Sequence, residues 1–160
     1  MGQAVTQLLG NLDRVFEKPG GHMPVKESLQ GLTASQAAWA PPGRNSIWMI
    51  VDHLSLWKEY FTGLLGGEAP RPRGWEKDRD WQKITEPTDE RWQAAVKRLT
   101  DAHAALKAEV EKRTDEHVDQ PLLGGKTPFR QLVQTIVVHD SYHCGQIHYL
   151  RALQDVPTEW

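Results

Sequence analysis

Two histidines four residues apart, His139 and His143 in the run HDSYHCGQIHYLR, have the clearest capacity for chemistry in this chain. In a helix, four residues advance the chain by about 400°, so both imidazoles leave one face a single turn apart. Neutral imidazoles placed in this way can both reach one divalent ion at about 2.0–2.1 Å. Spacing alone is a weak signal, because helix histidines commonly make ordinary hydrogen bonds. The surroundings strengthen it. Ile136, His139, His143, Gln146 and Leu150 fall on one stripe, so the histidines share a face with core residues. Two inward imidazoles without partners would leave buried polar groups unsatisfied, and one ion resolves both.

His53 has the same kind of setting, on a face with Ile50, Leu54, Trp57 and Tyr60. A lone inward histidine is more often a satisfied structural residue than a ligand. Metal sites in helix bundles are nonetheless built from inward groups on facing helices. His53, His139 and His143 together make three protein ligands and one open position, the arrangement of catalytic rather than closed structural sites. The HDSYH run also resembles the HExxH element of zinc peptidases, but Asp140 stands where the Glu would be and no further ligand pattern follows. His22, His103 and His117 lie outside this pattern, and His148 is turned about 140° from His143.

An open divalent site has two general uses, lowering the pKa of a bound water or thiol and polarising a bound carbonyl or leaving group. Thiol transfer and hydrolysis fit the same three ligands. Gln146, one turn past His143, is placed to orient a substrate or a metal-bound group, with a helix-packing amide as the plain alternative. Gly145 reads as a point of close approach by a helix or ligand. Asp52 and Asp140 adjoin ligands in sequence but point about 100° away, which makes them surface or supporting groups rather than bases. Trp48, Trp57 and Tyr142 are candidates for the pocket wall, as are Trp75 and Trp81, with core packing as the alternative for each. Cys144 reads as a packed thiol.

Four long helices must position these groups. The first spans about 3–17, with Val5, Leu8, Leu9, Leu12, Val15 and Phe16 as its apolar stripe. KPGGHMP breaks it, and short helical pieces follow at Val25–Leu29 and after the capping-box pattern Thr33 to Gln36. The second long helix starts at Asn45 or Ser46 and stops at Gly66-Gly67. Residues 67–87 read as a long loop pinned by Trp75 and Trp81, of a length that is often functional. The third helix runs from Thr88 to about Arg113, and the fourth starts with Thr127 as N-cap and Pro128 at the first position. These elements predict an all-α, antiparallel four-helix bundle with long connecting loops, one domain over residues 1–160.

Composition narrows the function classes. The chain has 160 residues, 39% hydrophobic and 25% charged, the balance of an ordinary folded domain. A formal charge of −2 supplies no bulk positive field, so nucleic acid and anionic membrane surfaces are not expected partners. No apolar run approaches the roughly 20 residues of a membrane-spanning helix. The first residues lack the features of a signal peptide, and MGQAVT matches the bare myristoylation pattern without a polybasic neighbour, read here as coincidence. The single cysteine allows no internal disulfide, so a reducing compartment, the cytoplasm, is the expectation. Seven tryptophans and seven histidines are many for this length, in keeping with an aromatic core or pocket.

The pairing of NSIWMIVDHLSLWKEY with HDSYHCGQIHYLR, together with LTASQAAWAPPGRNSIW ahead of it, resembles the DinB/YfiT-like superfamily of metalloenzymes. The HxxxHxGQI element, His139 to Ile147, is the most specific part. The resemblance implies a four-helix bundle with one divalent ion, nickel or zinc with iron and manganese as further candidates, on His53, His139 and His143. It also implies a homodimer and a small-molecule substrate. In some members that substrate is a low-molecular-weight thiol used for S-transfer, and the family name reflects a DNA-damage response rather than DNA binding. A metal-dependent hydrolase and a non-catalytic metal-binding or stress-response bundle are the alternatives.

Overall fold

A computed structural model describes residues 2–18, 20–122 and 125–158, so Pro19 in the expected break after the first helix and Leu123-Gly124 in the last loop lie outside it. Helices form where an apolar stripe meets a capping group. Helix α1, Gln3–Phe16, buries Val5, Leu8, Leu12, Val15 and Phe16. Its free amides at Ala4 and Val5 donate to the Asp115 carboxylate at 3.1 and 3.0 Å, a cap supplied from the far side of the chain. Short helices α2, Val25–Ser28, and α3, Ala34–Ala38, follow, the latter closed by the reciprocal capping box of Thr33 and Gln36. Helix α4, Ile47–Leu65, is capped by Ser46 and α5, Asp89–Glu111, by Thr88.

Helix α6, Phe129–Ala152, corrects one expectation: Pro128, not Thr127, is the N-cap, and no side chain caps it. The cause is an isolated antiparallel bridge between Pro121 and Pro128. Phe129 N–H donates to Gln120 O at 3.1 Å and Arg130 N–H to Val118 O at 2.9 Å, so loop carbonyls take the amides a Thr hydroxyl would have served. Among the described residues helix is the only extended regular structure, and no helix is long and apolar enough to cross a membrane.

The four long helices form a ring in which α4 lies beside α5 and α6, and α1 beside the same two. Contacts between α4 and α5 advance together along both helices, from Trp48 against Trp92, through Glu59 with Arg98, to Leu65 O with Arg113. These two helices therefore run parallel, which the crossover loop after Leu65 makes possible. Contacts between α1 and α5 run the other way, Asp13 with Lys107 and Phe16 with His103. The bundle thus combines parallel and antiparallel neighbours.

The apolar core is divided in two. One cluster gathers Trp48, Ile50, Leu54, Trp92, Leu99 and Ile147, the other Leu12, Leu65, Leu106, Phe129, Val133 and Ile136. Buried polar groups stand between them in sequence on α4, α5 and α6. Lys58 and Asp140 form an ion pair with both side chains out of water. Asp140 is thus no surface group. Its position four residues before buried Cys144 turns it inward, where Lys58 supplies the opposite charge. His103 is fully buried and stacks on Phe16 with ring centroids 3.9 Å apart, and neither of its nitrogens has a hydrogen-bond partner among the described residues. Burial, reinforced by the charges of Lys58 and Lys107, pushes its pKa down to about 2.

Lys58→Met leaves a buried carboxylate uncompensated and is expected to cost about 3–5 kcal/mol in chemical denaturation. Lys58→Met with Asp140→Leu should recover most of that loss; a single variant as stable as wild type removes the ion pair from the account. For His103, the folded state refuses the proton that the unfolded chain accepts near pH 6.5. Stability is therefore complete above about pH 6.5 and is lost as pH falls toward about 2, at up to about 1.4 kcal/mol per pH unit. In denaturation series from pH 7 to 4, His103→Phe should show a shallower loss than wild type; parallel curves would contradict this assignment.

Candidate metal centre

The inward stripes of α4 and α6 meet at three imidazoles. His53 and His143 are buried and His139 is half-buried, and their ring centroids are 4.9, 4.7 and 4.6 Å apart in pairs. One nitrogen from each ring lies within 4.8 Å of the other two. The His53 and His139 Nε2 atoms are 2.9 Å apart, close enough for both to bond one ion at about 2.0–2.1 Å.

Outer hydrogen bonds set which nitrogen His53 and His143 offer. His53 Nδ1 donates to the Asp80 carboxylate, 2.8 Å from both oxygens, which leaves the Nε2 lone pair facing His139. His143 Nδ1 donates to Gln146 Oε1 at 2.7 Å, with the same consequence for its Nε2. Gln146 therefore orients a histidine through its carbonyl while standing in the cavity wall. Carboxylate or carbonyl acceptors behind ligating histidines are the usual support of a metal centre. Burial, against the opposing pull of Asp80, lowers the pKa of His53. Burial and the neighbouring imidazoles bring His139 to about 3, and burial brings His143 to about 4. All three are neutral near pH 7, the form that can ligate a metal. The donor set fits a divalent ion, and three histidines leave positions for a further ligand.

Asp80 carries no signal in the sequence pattern. It lies in the irregular loop between α4 and α5, where only the loop's length and tryptophans marked it. Besides His53, its carboxylate accepts from Trp57 Nε1 at 3.2 Å and from Trp81 N–H at 2.9 Å. Trp81 stacks on His53, centroids 4.1 Å apart at 19°, from a left-handed backbone with φ of 57°. That conformation costs a bulky residue about 1–2 kcal/mol, offset by the stack and the Asp80 bond. Trp75 packs against Trp57 and Tyr60 at 5.9 and 5.1 Å, so both loop tryptophans pin the segment to α4.

A cavity of about 990 Å³ opens over His53 and His143. Tyr142 lines it, meeting His143 edge-on at 5.0 Å, and so does Trp81. Trp48 and Trp57 do not. Trp48 packs 5.3 Å from Trp92 in the core, and Trp57 is drawn behind the histidines by its bond to Asp80. Gly145 also lines the cavity, but a Cβ there would meet nothing within 4 Å, so no close approach requires the glycine. Asp52 is half-buried; burial raises its pKa, with Arg98 and Arg91 opposing, which places it toward α5 rather than the histidines. Cys144 is buried and donates to Met23 O at 3.1 Å, as a packed thiol should.

Asp80→Ala removes the acceptor that fixes His53 and should weaken zinc binding about 10–100-fold with helical content unchanged. Competition with a chromophoric chelator checks this, and an affinity equal to wild type would show that His53 needs no such support.

Searches of curated proteins and of solved structures returned no match. The family model of the DinB superfamily matches residues 23–147, a span that contains α4, the loop carrying Asp80, and all three histidines. The chain belongs to the DinB superfamily.

Proposed function

We propose that this protein is a metal-dependent enzyme that uses a divalent ion, nickel or zinc, on His53, His139 and His143 to transfer a low-molecular-weight thiol to an electrophilic carbon. The observation that carries this reading is the cavity itself. Its floor contains His53 and His143, and its wall, among the described residues, contains no Asp or Glu. Asp80, the nearest carboxylate to His53, is committed to three donors and turned away from the cavity. Activating a water for hydrolysis calls for a general base within reach, and no carboxylate is free to serve. Thiol transfer needs none, because a thiol already loses its proton far more readily than water.

A bound ion at this site would supply the Lewis acidity that holds a thiol as thiolate near neutral pH. The chain's own residues do the rest. Asp80 and Gln146 hold His53 and His143 in one tautomer and aimed while burial keeps them neutral, so no rotation precedes substrate binding. Trp81 covers one face of His53 and keeps bulk water off it. Tyr142 offers an aromatic edge to an incoming electrophile. In the transfer, the sulfur lone pair forms a new C–S bond, the bond to the leaving group breaks with its electron pair going to the leaving group, and the thiol proton passes to solvent.

The test is transfer from a small thiol to 1-chloro-2,4-dinitrobenzene by the zinc- or nickel-loaded protein, followed by absorbance of the thioether. The expected result is a rate above background that falls at least about 100-fold in His143→Ala. No difference between the two proteins with any of several biological thiols would remove the transferase reading.

A further inference from the structure

The cavity above the histidines has a second feature that metal binding does not use. Its wall contains one formally charged side chain, Arg44. Arg91, Arg98 and Arg130 each hold a carboxylate, whereas Arg44 makes no ion pair among the described residues. Its backbone is held on both sides. Gly43 takes a left-handed φ of 70°, which closes a turn in which Arg44 N–H donates to Pro41 O at 3.0 Å. Two residues later Ser46 caps α4. Arg44 thus stands in the cavity wall on a fixed backbone, exposed to solvent and unpaired with any carboxylate among the described residues, and Asn45 stands exposed beside it with an amide.

The rest of the wall agrees with a ligand that is apolar in its body and anionic at one end. Tyr142 and Tyr149 are 63% and 66% exposed, and Leu153 is 46% exposed, so their apolar surface borders the cavity without protein cover. A guanidinium presents planar paired donors that match the oxygens of a carboxylate or phosphate. A divalent ion on three neutral imidazoles adds positive charge to the same space, and no acidic group in the wall offsets it.

We propose that the molecule this site acts on carries a carboxylate or phosphate group that Arg44 binds, with Asn45, at the mouth of the cavity. The placement of its reacting end over His53 and His143 rests on the function proposed above. Arg44 is then a specificity-determining residue, and neutral analogues bind less tightly because they form no charge-assisted bond to the guanidinium.

Calorimetric titration with three thiol-free probes tests this: 3-phenylpropanoate, phenyl phosphate and the neutral 3-phenylpropanamide. Wild type is measured as purified and after zinc addition, beside Arg44→Gln and Arg44→Lys. At least one anion should bind about tenfold more tightly than the amide in wild type. That preference should vanish in Arg44→Gln and survive in part in Arg44→Lys, with zinc stoichiometry equal in all three. An anion preference undiminished in Arg44→Gln, which would send the anion to the ion instead, overturns the proposal. So does the absence of any preference, or of any anion binding, in wild type. Failure of the metal reading shows separately as missing zinc, and failure of thiol transfer leaves these probes unaffected.

Discussion

Both oxygens of Asp80 are occupied, and the geometry of the site follows from that. The His53 and His139 Nε2 atoms stand 2.9 Å apart, so they repel if both present lone pairs and call for a proton or a cation between them. A shared cation satisfies both lone pairs, and a ring whose far nitrogen is committed to an acceptor keeps its near nitrogen free for that cation. Asp80 commits His53, and Gln146 commits His143. The same carboxylate also takes the Trp57 indole and the Trp81 amide, so one side chain joins α4, the crossover loop and the cavity wall.

That role explains the length of the crossover. A short turn after α4 would force the next helix to run antiparallel. The long irregular segment instead brings the chain back so that α5 starts beside the start of α4, as Trp48 and Trp92 show. On the way it crosses the His53 face and deposits Asp80 and Trp81 there. Topology and site chemistry are two results of one segment. The strained backbone of Trp81 sits where the loop is held most firmly, as expected where surrounding contacts over-determine a conformation.

Below the histidines the bundle trades apolar contact for specificity. Lys58 and Asp140 close an ion pair between two apolar clusters, and His103 is kept neutral beside Phe16. A buried pair adds little net stability compared with apolar residues, but it penalises any register in which the charges separate. Asp140 follows His139 directly, and Lys58 lies five residues past His53, so a slip that misplaced the histidines would also unpair these charges.

Much of this was legible in the amino-acid order. The stripe Ile136, His139, His143, Gln146, Leu150 and its partner Ile50, His53, Leu54 gave the inward faces, because helical period alone decides which side chains share a face. Gly66-Gly67, Ser46 and Thr88 marked helix ends through local capping and backbone freedom, which need no distant partner. Local pattern was silent on what each face meets. Asp80 and Arg44 lie in irregular segments without periodicity, and Trp48 and Trp57 had the right composition for a pocket but packed elsewhere. Thr127 lost its cap to carbonyls of residues 118 and 120, and the burial of Asp140 depended on Lys58 of another helix. The sequence by itself determined three histidines on two inward helical faces. Which carboxylate orients them, which tryptophan covers them and which arginine faces the cavity were decided by tertiary structure, because those contacts depend on where a loop returns in space.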